Sequence, residues 1–200
     1  MNFKNLERLK EQSYKLASAA HKFANEMEKL IPVTVKHFPK NTFLISKKDM
    51  CSHIFFIRKG CVRSFIYDVD LNEVTIWFTF EGQVVVSITS YILELPSDVM
   101  IQALEDVEVV IITKEQLNQM YSIHSDTHHL VRSFLENYLA HISMRTIALQ
   151  STLAETRYYE LLKEYPNIFQ RVPLRHIASY IGIKTETLSR IRANYKKRPL

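Results

Sequence analysis

The sequence predicts an α+β protein: an N-terminal jelly-roll β-barrel (1–125), a long dimerisation helix (126–150) and a C-terminal helix-turn-helix domain (151–200). Three observations predict it. Apolar periodicity switches from helical spacing to close alternation after Pro32, and back to helical spacing at Lys114. Between Leu130 and Leu149 apolar residues then cover about half of a helix's circumference, whereas a single packing neighbour needs a stripe of only ~100°. Finally, Pro173 to Tyr195 read as two short apolar helical faces joined at Gly182, one of only three glycines in the chain.

Leu9, Leu16, Phe23 and Leu30 recur every seven residues with Ala20 and Met27 on an adjacent ridge, so residues 1–30 read as a helix that Pro32 ends. Short apolar runs follow at Val33 to Phe38, Thr42 to Ser46, His53 to Arg58, Val62 to Tyr67, Val74 to Phe80, Gln83 to Ile88, Val99 to Leu104 and Val107 to Thr113. Eight strands at this spacing suit a jelly roll. Turn-formers separate them, among them Lys59-Gly60, Asp68-Val69-Asp70, Glu81-Gly82 and Leu95-Pro96-Ser97. From Lys114 a short helical segment runs to Tyr121, and Ser125 or Asp126 caps the long helix.

Composition narrows the function. With 46% apolar and 24% charged residues in 200, the chain is not disordered. Two cysteines, Cys51 and Cys61, exclude a disulfide scaffold and a four-cysteine metal site. No apolar stretch reaches the ~20 residues of a membrane helix, and the first thirty residues lack a signal-peptide core. A cytoplasmic protein without membrane contact is expected. His124, Asp126, His128 and His129 fall at a helix start, where polar residues are ordinary, so no metal or other cofactor is assigned. The net charge of +5 is unevenly spread: residues 156–200 hold ten Lys and Arg against three Glu, or +7, which leaves −2 for the rest. A basic C-terminal module points to a polyanion, the plain alternative being a solvated basic tail.

Within the long helix, Val131, Leu135, Tyr138, Ile142 and Leu149 keep the 4-3 spacing of a coiled-coil seam, which predicts a homodimer. Arg145 interrupts the stripe and suits an interface rim better than a closed core. In the C-terminal motif, Ile177, Ala178 and Ile181 form one inner face, and Ile183, Leu188 and Ile191 the other. Ala178 is small where the helices cross, and Gly182 permits a positive φ at the turn. The second helix, from about Thr185 to Asn194, then offers Thr185, Glu186, Ser189 and Arg190 to base edges of double-stranded DNA. Arg190 matches guanine O6/N7 and Glu186 matches cytosine N4, although at four-residue spacing the two also suit an intrahelical ion pair. Arg171, Arg175, Lys184, Arg192, Lys196, Lys197 and Arg198 are candidate phosphate contacts.

These features together resemble the cyclic-AMP receptor protein/fumarate-nitrate regulator (Crp/Fnr) family of bacterial transcription regulators. The resemblance covers nearly the whole chain. It rests on His53-Ile-Phe-Phe-Ile-Arg-Lys-Gly60 with Val62-Arg63, on Ala103-Leu-Glu105, on the long helix and on Gly182-Ile-Lys-Thr-Glu-Thr-Leu-Ser-Arg190. It implies a cyclic-nucleotide-binding-like sensor barrel, a homodimer joined through the long helix, a two-fold symmetric operator and contact with RNA polymerase. Glu186 and Arg190 then fall at the family's base-reading positions, and Thr185 stands where the receptor protein has an arginine. The few residues after the recognition helix imply a missing or replaced β-wing, as in a Bacteroidetes-like branch.

The sensor departs from that pattern. A buried cyclic phosphate needs a cation, yet Val84 to Asp98 contain no Lys or Arg. Alignment on Ala103 puts Ser97 at the arginine's place and Ser87 near that of the ribose-binding acid, so cyclic AMP is not the expected effector. Ser87, Thr89, Ser90 and Ser97 are candidates to line a pocket for another, unknown small-molecule effector, the alternative being ordinary loop hydroxyls. The competing class is a cupin-like barrel enzyme or ligand-binding module whose C-terminal helices mediate protein contacts. No nucleophile–base pair, carboxylate pair or phosphate loop favours an enzyme.

Overall fold

The computed structural model describes residues 3–196, with the side chains of residues 7–194. Helix α1 (Phe3–Leu30) is followed by β1 (Thr34–Phe38), β2 (Phe43–Ile45), β3 (His53–Lys59), β4 (Val62–Tyr67), β5 (Glu73–Thr79) and β6 (Val84–Val85). A short helix α2 (Ile88–Leu93) precedes β7 (Met100–Ala103) and β8 (Val107–Thr113). All eight expected strands form. The sixth is only two residues long, because the apolar run that suggested a longer strand turns into α2 at Ser87.

The strands make two antiparallel four-stranded sheets, ordered β1-β8-β3-β6 and β2-β7-β4-β5. Phe55 and Ile57 of β3, Val107 and Val109 of β8, and Val62, Ile101 and Ala103 of the second sheet fill the space between them. The alternate residues Phe56, Val110 and Ile112 face outward, yet are equally buried under Ala20, Ala24 and Met27 of α1 and Met120 of the next helix. Burial on both faces explains why β3 and β8 are continuous apolar runs. The β3–β4 turn requires Gly60: its φ is +97°, and a Cβ there would lie 2.7 Å from the Asp106 carbonyl oxygen.

Helix α3 (Lys114–Ile123) opens with a capping box, Thr113 accepting from the Gln116 amide while the Gln116 side chain accepts from the Thr113 amide. Helix α4 (Thr127–Ser151) packs lengthwise on α1, where Ser13 meets Asn137 and His141. Four further helices follow: α5 (Ala154–Glu164), α6 (Ile168–Arg171), α7 (Leu174–Ile181) and α8 (Thr185–Lys196). Their core joins Tyr158, Leu161, Ile168, Val172, Ile177, Ala178, Ile181 and Leu188 to Cys61, Phe78 and Leu104 of the barrel. Among the described residues, no helix is long and apolar enough to cross a membrane.

Candidate nucleic-acid interface and its coupling to the barrel

Helix α7 stops where the sequence predicts. Gly182 adopts φ 73° and ψ 42°, its amide donates to Ser179 O (3.1 Å), and the Ile183 amide donates to Ala178 O (3.0 Å). This pair of bonds is a Schellman motif, which satisfies two terminal carbonyls and turns the chain sharply into α8. Ile177, Ala178, Ile181 and Leu188 are buried between the two helices, and Ile183 and Ile191 flank them. The opposite side of α8 faces solvent, with Glu186, Ser189 and Arg190 exposed and Thr185 half-buried. No ion pair joins Glu186 to Arg190 among the described residues, while the Ser189 hydroxyl donates to Thr185 O (3.0 Å).

The predicted phosphate contacts divide. Lys184, just before α8, and Arg175, in the first turn of α7, are exposed. Arg192 lays its guanidinium over the Phe169 ring at 4.3 Å, so part of its role is packing. Arg171 needs correction. It is forked onto Glu81 (2.9 and 2.6 Å), bonds Glu105 and covers Phe80, and those carboxylates hold its pKa above the ordinary arginine value. A guanidinium committed to two barrel carboxylates is a strut between barrel and helices, not a free phosphate ligand. The Lys196 side chain, Lys197 and Arg198 lie outside the described residues.

A second set of contacts holds α7 to the barrel. Arg63, 1% exposed on β4, pairs with Glu73 (2.5 Å), donates to Gln102 Oε1 (2.9 and 2.7 Å) and reaches His176 Nδ1 of α7 (2.7 Å). Burial, with Arg63 and Arg175 nearby, lowers the His176 pKa to about 4, so its ring is neutral and can accept from Arg63. Ser179 receives the Thr75 amide (2.9 Å) and donates to Glu73 O (3.0 Å). Arg145 of α4 donates to Tyr180 O (2.8 Å) and Thr75 O (3.3 Å) and stacks on the Tyr180 ring at 3.9 Å. The interruption at Arg145 is therefore a three-way tie between α4, β5 and α7 rather than an interface rim. In sequence, Arg63 and Arg145 share one signal, a cation in an otherwise apolar run.

The face of α4 turned away from α1 carries Leu135 (46% exposed), Leu139 (64%), Ile142 (38%) and Leu149 (42%), with Val131 half-buried at its edge. Tyr138 departs from the predicted seam: it turns to Trp77 of β5, ring centroids 5.7 Å apart. Leu139 takes its place on the open stripe.

The serine set also resolves differently. Ser87, Ser90 and Ser97 are buried, and Thr89 is exposed. The Ser87 and Ser97 hydroxyls lie 2.6 Å apart, Ser97 also donates to Val99 O (2.6 Å), and Ser90 Oγ accepts from the Cys51 amide (3.0 Å). These hydroxyls are spent on one another and on backbone, so they close this part of the barrel instead of lining an open pocket. The histidines near the α4 start make separate contacts, His124 with Glu26 (3.1 Å) and His128 stacked on Tyr121.

Residues 35–124 match the cyclic nucleotide-binding domain family. The fold also matches solved structures at low identity. FixK2 from Bradyrhizobium japonicum is 18% identical, with 83% of this chain and 85% of that one covered at a TM-score of 0.71. A crp/fnr-family protein from Eubacterium rectale is 17% identical, covering 86% and 82% at 0.63. The c-di-GMP responsive global regulator CLP from Xanthomonas campestris is 16% identical, covering 82% and 86% at 0.65. No curated protein matches the chain significantly. Residues 35–124 thus resemble a cyclic nucleotide-binding domain, and most of the chain shares the fold of these solved Crp/Fnr-type structures.

Proposed function

We propose that the protein is a homodimeric, sequence-specific DNA-binding transcription regulator of the Crp/Fnr type. The observation that carries the reading is the exposed face of α8, where Glu186 and Arg190 project without an ion pair between them from a helix held by the Gly182 turn. An Arg free to fork onto guanine O6/N7, and a Glu free to accept from cytosine N4, are the parts of a major-groove reader. Dimerisation through Leu135, Leu139, Ile142 and Leu149 would present two such helices to a two-fold symmetric operator, with the basic C-terminal segment holding phosphates. The Ser87–Ser97 hydroxyl pair, standing where a cyclic phosphate needs a cation, supports a sensor that does not take cyclic AMP.

The test is selection of preferred duplexes by the full chain, followed by titrations at fixed salt. Arg190→Ala should lose about 1–3 kcal/mol on the preferred site and much less on unrelated DNA. Lys184→Ala should weaken all duplexes alike and flatten the log K versus log salt slope by about one unit. Unchanged discrimination by Arg190→Ala would remove α8 from the reading role.

A further inference from the structure

One cavity gathers groups that the DNA-binding reading leaves unused. It is a solvent-open cleft of about 280 Å³ where three parts of the chain converge: Lys10 and Tyr14 of α1, Phe80 after β5, and Glu164, Tyr165 and Arg171 of the C-terminal helices. Glu164 also borders a smaller solvent-open space of about 70 Å³ beside His141, so it lines both. The Phe80 and Tyr165 rings, 4.8 Å apart, give the larger cavity an aromatic side.

The charges on this wall are not equivalent. Arg171 is neutralised by Glu81 and Glu105. Glu164 has one neighbour at ion-pair distance among the described residues, His141 Nδ1 at 3.8 Å. That ring carries no charge near neutrality, because burial lowers its pKa to about 4. Burial pushes Glu164 itself up to about 7, although the Tyr165 hydroxyl and the Lys10 charge pull it down. Lys10 spends one donor on Lys163 O (2.5 Å) and keeps two. Lys10 and Glu164 thus face one cavity, opposite in charge, without forming an ion pair with each other.

We propose that this cavity binds a small zwitterion of the α-amino-acid class, its ammonium on Glu164, its carboxylate on Lys10, and an apolar side chain against Phe80 and Tyr165. A lone anion would meet Glu164 and a lone cation would meet Lys10. A molecule carrying both charges pairs both groups, and its ammonium favours the ionised Glu164 that burial disfavours. The ligand would touch α1, the β5–β6 turn and the α5–α6 corner at once. Its occupancy would therefore favour one placement of α7 and α8 against the barrel, to the extent that it binds that placement better.

The experiment needs no DNA, so its outcome is independent of the reading of α8. The full chain is titrated with L-leucine, L-methionine and L-phenylalanine up to about 10 mM, by thermal shift and then calorimetry. Isoamylamine and 4-methylpentanoate are the single-charge analogues. At least one amino acid should bind, the analogues should not, and Glu164→Gln and Lys10→Met should each weaken binding about tenfold or more. Absence of binding by all three amino acids, equal binding by an analogue, or affinity unchanged in both variants would overturn the proposal. If a variant fails to fold, the amino-acid and analogue titrations on the unmodified chain decide alone.

Discussion

Replacing Arg63 by methionine keeps most of the aliphatic stem on β4 and deletes the guanidinium. Five contacts go: the Glu73 pair, two bonds to Gln102 Oε1, the bond to His176 and the stacking on the Phe65 ring at 4.1 Å. Loss of one partner from a buried pair costs about 3–5 kcal/mol when the other charge is stranded. Here Glu73 is not stranded, since 40% of its side chain is exposed and water can take over. The cost then falls mainly on His176, only 4% exposed, whose Nδ1 loses its donor. An unsatisfied buried polar atom costs about 1–3 kcal/mol, and the lost charge-assisted bonds to Gln102 add to that. The net expectation is a loss of about 2–3 kcal/mol, or a melting temperature lower by roughly 5–10 °C for a chain of this size. The single tryptophan, Trp77, lies between Tyr138 and His141 and reports unfolding in urea without labelling. If the stranded histidine is the cause, Arg63→Met combined with His176→Leu should recover part of the loss. A single variant as stable as the parent to within about 0.5 kcal/mol would show that the Arg63–His176 contact is not a clamp.

Leu139→Asp with Ile142→Asp should shift sedimentation from dimer to monomer, while Tyr138→Ala should leave the dimer and lower barrel stability instead; dissociation by Tyr138→Ala alone would return that residue to the seam. Stability should also depend on pH with a definite sign. His141 and His176 are held near 4 against an ordinary 6.5, so the unfolded chain binds two extra protons as pH falls through that window, and stability is lost. Glu164, raised from 4.5 to about 7, opposes this by one proton and favours the folded chain at lower pH. Between pH 6.5 and 4.5 the unfolded chain thus takes up about one net proton at most, so unfolding free energies from urea titrations should fall by up to ~1.4 kcal/mol per unit, and Glu164→Gln should steepen that limb; a flat profile in both proteins would refute the assignment.

Much of the fold was legible because its elements announce themselves locally. Period-two runs bounded by turn-formers located eight strands, and Gly182 located the α7–α8 turn through the positive φ it permits. Helix α2 was not legible, since Val84 to Leu93 mix apolar residues with Ser87, Thr89 and Ser90 in no period that separates a strand from a six-residue helix. The seam was one residue set out of place because spacing alone does not know that Trp77 competes for Tyr138, a contact 61 positions away. Arg171 and the serines failed as site residues for a related reason. Their partners, Glu81, Glu105 and each other, come together only after the barrel closes. The start of α3 was legible from the change of period at Lys114, and the structure adds the capping box of Thr113 and Gln116 that fixes it.

Strand β5 is the outer strand of its sheet. Such a strand, left bare, is a template on which another chain can add a strand. Its outward amide at Thr75 and carbonyls at Glu73 and Thr75 are taken up by Ser179 and Arg145, both from segments synthesised after the barrel. The helices that follow therefore guard the barrel's margin, in addition to the DNA-reading role proposed for them. A chain shortened to about residue 140 keeps every strand but loses the groups that occupy that margin. It should be more prone to strand-mediated self-association than the whole protein, and Ser179→Ala with Arg145→Ala should carry some of that liability into the full-length chain.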